Sequence, residues 1–266
     1  MSSARGFGVA AGLDPEVAAP LAARCAELGY GSLWSNDHPG ALGLETLAAF
    51  AEAAPELELG VAVVALDRHP PAAIADHVER LGLDHERLWL GVGAGFSERP
   101  LSTMREAIVD LREALPGIRL VLAAMGPKMC ALAGREYDGA FFNWMTPAFA
   151  ASARLSVESG AADTEHGPPP CFGYVRVAVG ADAAARLAKE EAFYRDLHDG
   201  YRNHFQRLGE PEGTVGVAAA DSAEAQASLA AYEALDVTVV RALASANLEA
   251  MSSVAEAAAP PAARAA

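Results

Sequence analysis

The strongest constraint on the fold of this chain is a run of eight strand patterns that alternate with helical segments. The strand patterns cover residues 7–12, 31–37, 57–66, 88–95, 118–125, 140–144, 172–179 and 237–243. The helical segments cover residues 14–28, 45–54, 70–81, 101–115, 182–208 and 223–234, with further starts at Gly126 and Pro147. Such alternation favours a parallel sheet with helices on its outside, and eight strands close it into a (β/α)8 TIM barrel. We predict one α/β barrel domain over residues 1–256, with shortened loops, and a frayed tail over residues 257–266.

Composition and charge narrow the class of protein. The 266 residues are 52% hydrophobic, which is enough for a sizeable core, yet the longest apolar runs are too short to cross a bilayer. The formal charge of −15 disfavours nucleic acid and anionic membrane surfaces as partners. The N-terminus carries no signal-peptide pattern, and the three cysteines lack metal or redox spacing. We therefore expect a cytoplasmic protein with reduced thiols and no metal.

Polar groups follow several of the strands, where a barrel carries its chemistry. The second strand ends in Asn36-Asp37-His38, and aspartate with histidine can handle protons near neutral pH. The fifth strand leads into Gly126-Pro127-Lys128, a helix start whose free amides and lysine would bind phosphate. The glycines Gly93 and Gly95 would let a flat ligand approach the fourth strand. A plain helix start with a surface lysine remains an equal interpretation of the fifth-strand motif, and Arg68-His69-Pro70 reads as structural.

Taken together, the motifs resemble the bacterial luciferase-like superfamily of flavin- and deazaflavin-dependent oxidoreductases. The resemblance rests on Leu33-Trp34-Ser35-Asn36-Asp37-His38, on Arg68-His69-Pro70, on the fourth-strand glycines, and on Ala124 to Met129 followed by Leu132 to Glu136 and by Asp138-Gly139. The last group is similar to the branch that uses coenzyme F420. In that branch the deazaflavin lies across the carboxyl ends of the barrel strands.

The resemblance implies roles for particular residues. Asp37 and His38 would be the catalytic proton donor or acceptor beside the ring. A cis peptide bond near Ala62-Val63 would back the ring, and a homodimer is expected. The remaining implied contacts line the ring and bind the phosphate: Gly93, Gly95, Met125, Gly126, Pro127, Lys128, Met129, Asn143 and Trp144. Ala94 departs from relatives that carry a carboxylate in the strand-four loop, and the long lid segments of the family are missing, so the pocket is open or completed by a partner subunit.

Four functions remain open on the sequence. The first is an F420-dependent oxidoreductase that transfers a hydride to or from a small organic substrate, and the second is a luciferase-like monooxygenase that uses FMN. The third is a metal-dependent hydrolase built on Asp37, His38, Asp67 and His69, which is weak because the first strand ends without a ligand. The fourth is a non-catalytic relative that binds a cofactor or nothing.

Overall fold

A closed barrel of parallel strands forms the centre of the computed structural model, which describes residues 4–261. Eight strands close the barrel in chain order, because β7 pairs with both β6 and β9 and because β9 pairs with β1. The strands are β1 (Ala4–Ala10), β2 (Ser32–Asn36), β3 (Glu58–Ala65), β4 (Leu88–Gly93), β5 (Arg119–Ala123), β6 (Gly139–Asn143), β7 (Cys171–Val179), β8 (Val217–Ala219) and β9 (Val237–Ala242). Strand β8 pairs only with the far end of β7 and lies outside the closed ring. The predicted (β/α)8 TIM barrel is confirmed.

Helices surround the barrel and begin where the sequence carries proline or a capping side chain. Proline stands in the first turn of five of them, and the side chain of Asp14 accepts a hydrogen bond from the Glu16 amide at 2.9 Å. The helices are α1 (Pro15–Glu27), α2 (Gly43–Ala53), α3 (Pro71–Arg80), α4 (Pro100–Ala114), α5 (Pro127–Glu136), α6 (Pro147–Ala161), α7 (Ala183–Leu197), α8 (Asp199–Leu208), α9 (Ser222–Ala230) and α10 (Leu248–Ala257).

Large aromatic side chains fill the inside of the barrel. Trp34, Phe141, Phe172 and Tyr174 pack there with small aliphatic neighbours and are almost completely buried. Trp34 fits because the adjacent β3 position is a glycine: a Cβ on Gly60 would lie 2.2 Å from the indole ring. The interior of the barrel is therefore packed solid, and only its two ends can hold a ligand.

The structure corrects the predicted boundaries in the last third of the chain. The single helix expected over residues 182–208 is two helices, because His198 adopts an extended conformation between α7 and α8. The irregular stretch 209–219 contains β8, the helix expected over 223–234 ends at Ala230, and α10 went unrecognised. These short, alanine-rich segments lack the periodic apolar pattern that made the other elements visible.

The C-terminal segment is anchored where fraying was predicted. Ala257 closes α10, and Ala258 is fully buried. The buried guanidinium of Arg5 donates hydrogen bonds to the carbonyls of Ala258 and Ala259 at 2.8 and 3.0 Å. The predicted start of the frayed tail at residue 257 is therefore wrong, and residues 262–266 lie outside the described residues.

Candidate functional site

The carboxyl ends of the strands form a mouth whose floor is partly open to solvent. Residues near the carboxyl ends of five strands share a face with the buried interior: four follow an inward-facing residue by two positions, as side chains alternate along a strand, and the fifth, Val63, lies on an irregularity of β3. Each of these five is nevertheless partly exposed: Ala10, Asn36, Val63, Ala123 and Asn143. The mouth is therefore a surface that a ligand can reach.

One side of this floor is a shelf of small side chains formed by Val63, Gly93 and Ala123. A Cβ on Gly93 would lie 3.0 Å from Val63 Cγ2 and 3.4 Å from Ala123 Cβ, so the three residues are direct neighbours on β3, β4 and β5. Gly93 itself is buried against these two side chains, so the partly exposed surface is formed by Val63 and Ala123. The shelf offers a flat, apolar surface to a planar group.

An irregularity in β3 brings an additional side chain to the shelf. The pairing of β3 with β4 shifts register between Val61 and Val64, and a cis peptide bond joins Ala62 to Val63 at the position that the resemblance predicted. Ala62 and Val63 both pack with the interior cluster, although neighbouring residues of a regular strand would face opposite sides. Gly91 accommodates this bulge, because a Cβ there would lie 2.2 Å from the Val61 carbonyl oxygen.

The start of α5 lies at the rim of the mouth. Met129 and Cys130 both donate their amides to the Gly126 carbonyl, and Pro127 has no amide hydrogen. The amide of Lys128 has no backbone acceptor in the described part of the chain, and its side chain is exposed. Nothing fills the space where a Gly126 Cβ would lie. The first turn of α5 is thus open to an anion.

Arg207, on α8, adds a second cation to this rim. Its Nη2 atom lies 3.4 Å from the Met125 carbonyl oxygen, one residue before Gly126. Arg207 could not be recognised from the sequence, because it lies 82 positions from Met125 and carries no motif. Its proximity to Lys128 depends on the packing of α8 against the mouth.

Asp37 is the centre of a small ionic network on the opposite rim. Its side chain is only 2% exposed; Oδ2 accepts hydrogen bonds from Arg68 at 2.7 Å and from His69 at 3.1 Å, and Oδ1 accepts from the Gly43 amide at 3.1 Å. Three donors therefore occupy the carboxylate that was predicted to act with His38. Asp37 joins the ends of β2 and β3 to the start of α2.

His38 lies beside this network and is more exposed. The Gly40 amide donates to Nδ1 at 3.1 Å, which places the ring proton on Nε2, and Nε2 lies 3.3 Å from the Ala11 carbonyl oxygen. A cavity of about 310 Å³ opens at this rim and is lined by His38, Pro39, Gly40, Ala41, Leu42, Glu45, Arg68 and His69. The two histidines of the rim therefore line one cavity.

Two further predicted cofactor residues have well-defined partners. Asn143 Oδ1 accepts a hydrogen bond from Arg176, and its amide lies 3.4 Å from the Tyr201 hydroxyl. Trp144 is 1% exposed and has a positive φ of 49°, and its ring packs on Tyr194 and Phe205. Asn143 remains at the floor of the mouth, whereas the indole of Trp144 lies under the α7–α8 pair.

Gly95, which was predicted to contact a cofactor, has a structural explanation. Its φ is +60°, and a Cβ there would lie 1.9 Å from Asp67 Oδ1. Asp67 accepts a hydrogen bond from the Phe96 amide at 3.0 Å and so stabilises the loop after β4. Asp67 therefore faces this loop. Among residues 4–261, no three histidine, cysteine, aspartate or glutamate side chains come together to hold a metal ion.

Comparison with known proteins agrees with this arrangement. The family model described as luciferase-like monooxygenase matches residues 100–259, more than half of the chain. The chain belongs to this family. Among solved structures, it is similar to an F420-dependent secondary alcohol dehydrogenase in complex with an F420-acetone adduct, with a TM-score of 0.71 and 16% identity over 97% of this chain and 99% of that one.

Two other solved structures show how far the luciferase-like fold is shared. The coenzyme F420-dependent tetrahydromethanopterin reductase from Methanopyrus kandleri has a TM-score of 0.70 at 15% identity over 97% of both chains. The FMN complex of the oxygenating constituent of 3,6-diketocamphane monooxygenase, from Pseudomonas putida, has a TM-score of 0.63 at 13% identity over 98% of this chain and 99% of that one. Solved structures of proteins that use F420 and of one in complex with FMN thus share this fold.

In this member of the luciferase-like family, two helices cover part of the mouth, whereas the sequence predicted a pocket that is open or completed by a partner subunit. Helices α7 and α8 pack over Trp144 through Leu187, Tyr194 and Phe205. His204 on α8 is completely buried and donates a hydrogen bond from Nε2 to the Trp144 carbonyl at 2.6 Å. The pair therefore covers the β6–β7 side of the mouth, and it also contacts the loops after β4 and β5, through His198 against Phe96 and Arg207 against Met125. Within residues 4–261, every helix is too short or too polar to cross a membrane.

Proposed function

We propose that this protein is an oxidoreductase that transfers a hydride between coenzyme F420 and a small organic substrate. The observation that carries the proposal is the apolar shelf of Val63 and Ala123 over the buried Gly93, which lies on the same mouth as the open first turn of α5. A planar ring and a phosphate are the two parts of a flavin-type cofactor, and the mouth offers a surface suited to each. Similarity to the F420-dependent structures supports the choice of deazaflavin.

The residues at the mouth fit such a cofactor. Val63 and Ala123 would contact the ring on either side of the Gly93 backbone, with Ala62 supporting it from below. The phosphate would lie at Gly126 and the Lys128 amide, with the side chains of Lys128 and Arg207 adding two positive charges in a protein of net charge −15. F420, when bound, supplies the hydride.

His38 is the residue that moves the accompanying proton. It carries its ring proton on Nε2, because Nδ1 accepts from the Gly40 amide, and the 3.3 Å contact of Nε2 with Ala11 is weak enough to be exchanged for a substrate oxygen. Asp37 has a different role from the one first expected: by binding Arg68 and His69 it fixes the end of β3 beside His38.

Titration of the purified protein with F420 and, separately, with FMN tests the choice of cofactor. Quenching of F420 fluorescence at micromolar concentration, without comparable binding of FMN, is the expected result. Tight binding of FMN alone would favour a luciferase-like monooxygenase instead. If the protein binds neither F420 nor FMN, a non-catalytic relative becomes the favoured interpretation. The packing of α7 and α8 over Trp144 agrees with that interpretation as well.

Replacement of His38 tests the proton step. General acid catalysis contributes about 10²- to 10⁴-fold in rate, so His38→Ala should lose most turnover and retain F420 binding. His85→Ala is the matched control, because His85 lies in the loop before β4, away from the rim cavity. Unchanged turnover in His38→Ala would exclude the residue from the mechanism.

A further inference from the structure

Two buried arginines lie side by side at the mouth of the barrel. Arg176 on β7 and Arg241 on β9 occupy paired positions of the parallel ladder, and both follow residues of the interior cluster by two positions, so both face inward. Arg176 is 3% exposed and Arg241 is 7% exposed. Two like charges on neighbouring strands of a barrel interior are costly unless an anion accompanies them.

The described chain gives this pair very few acceptors. Arg176 donates to Asn143 Oδ1, and Arg241 donates to the Ala242 carbonyl at 3.0 Å, whereas two guanidinium groups carry roughly ten N–H donors. The Nε atoms of both arginines are buried without a hydrogen-bond partner. Arg5 shows the contrasting case, since Gln226 and two backbone carbonyls surround its buried guanidinium.

No carboxylate of residues 4–261 forms an ion pair with either arginine. Burial, followed by the charge of Arg176, lowers the pKa of Arg241, and Tyr174, Tyr194 and Glu190 act in the opposite direction. The neighbours that hold Arg176 are neutral: its guanidinium lies 4.0 Å from the Trp144 ring and 5.2 Å from the Tyr194 ring. The pair is positioned by aromatic rings and lacks a carboxylate at ion-pair distance within residues 4–261.

We propose that Arg176 and Arg241 bind the carboxylate of an organic substrate at the floor of the mouth. Asn143 joins this pair to the mouth, because it touches Arg176 and is itself partly exposed at the end of β6, the strand that pairs with β5. Planar guanidinium forks match the two oxygens of a carboxylate. The description of the ligand as substrate rests on the proposed function, whereas the affinity for a carboxylate does not.

The test compares carboxylates with uncharged amides of the same shape, using the full chain without cofactor. Calorimetric titrations with benzoate and acetate, and with benzamide and acetamide, should give at least about a tenfold preference for the carboxylates, which corresponds to about 1.4 kcal/mol. Arg176→Met and Arg241→Met should each abolish the preference. Arg202→Met removes the same charge from the outer surface of α8, where Arg202 pairs with Asp199, and should retain it.

Several outcomes would overturn the proposal. Equal binding of carboxylates and amides by the wild-type protein would do so without any variant, and so would a preference that persists in both methionine variants. If a methionine variant fails to fold, Arg241→Lys keeps the charge and removes the fork, and an unchanged preference there would contradict bidentate binding.

Parallel titration with F420 separates this proposal from the proposed function. Loss of the carboxylate preference in Arg241→Met with unchanged F420 binding supports both. A carboxylate preference in a protein that does not bind F420 supports the anion site and contradicts the proposed function. Loss of F420 binding in Arg241→Met, with no carboxylate preference in the wild-type protein, would assign the pair to the cofactor and overturn the inference.

Discussion

Two glycines of β4 allow the fold and the proposed site to be tested separately. An added Cβ at Gly91 would lie 2.2 Å from the Val61 carbonyl oxygen and 3.2 Å from Ala62 Cα, both of which are backbone atoms of the β3 bulge. At Gly93 the nearest atoms are side-chain carbons of Val63 and Ala123, at 3.0 and 3.4 Å. An ordinary contact between carbon atoms is about 3.5–4.0 Å, so Gly91→Ala requires backbone movement and Gly93→Ala only a small shift of side chains.

Gly91→Ala should therefore lower mainly the stability of the fold, and Gly93→Ala mainly the affinity for F420. Overpacking a core costs about 1–3 kcal/mol, and the rigid obstacle at Gly91 places its variant near 3 kcal/mol, or roughly 6–12 °C in Tm for a chain of this size. Gly93→Ala should cost about 1 kcal/mol or less, or roughly 2–4 °C. Its methyl group would nevertheless displace the Val63 or Ala123 side chain that forms the surface of the shelf, and we expect F420 affinity to fall at least about tenfold.

Thermal denaturation followed by circular dichroism measures the first effect, and F420 fluorescence titration well below both Tm values measures the second. If Gly93→Ala binds F420 as the wild-type protein does, the ring does not lie on the shelf. If Gly91→Ala melts at the wild-type temperature, the contact between β3 and β4 is looser than the structure indicates, and the reasoning about the bulge fails.

Three further predictions concern buried polar groups. Asp37→Asn removes the charge that pairs with Arg68 and His69 and should lower the free energy of unfolding by about 1–3 kcal/mol in urea titration; an unchanged value would contradict a stabilising network. Burial lowers the pKa of His204, so as the pH falls below about 6.5 the unfolded chain takes up a proton on this histidine before the folded chain does. The free energy of unfolding should therefore be highest above about pH 6.5 and decrease as the pH falls. His204→Gln keeps a donor for the Trp144 carbonyl and should flatten that decline of Tm with acid; an equally steep decline would exclude His204 as its source. Burial also raises the pKa of the thiols of Cys25, Cys130 and Cys171, to about 12 for the last two. A thiol reagent should therefore label them only after denaturation, and labelling of the native protein would contradict their burial.

The sequence was enough to place several candidate residues on one face of the barrel because these residues follow strands. Asp37, Gly93 and Lys128 each lie at a strand end, and parallel strands bring such ends to one face of a barrel. The cis peptide bond between Ala62 and Val63 was located through the family resemblance, since nothing in the local residues requires it. Roles were harder to predict than positions: Asp37 binds Arg68 and His69 rather than His38.

The remainder depends on contacts between residues far apart in the chain. Arg207 reaches the rim near Lys128, and α7 with α8 covers Trp144, because a break at His198 turns the helical segment back on itself. An apparently continuous helical pattern does not reveal such a turn. Arg176 and Arg241 lie in strand patterns that look like any other, and their pairing appears only when β7 and β9 become neighbours.

The sequence by itself determined the closed barrel, its strand order and the face that carries the polar groups. These features follow from the local periodicity of apolar residues and from the rule that parallel strands present their carboxyl ends together. Only the tertiary structure decided which polar groups already have partners within the chain. Asp37 is satisfied by three donors, whereas Arg176 and Arg241 are buried with too few acceptors. Hydrogen bonding and burial depend on three-dimensional distance, which residue spacing along the chain does not determine.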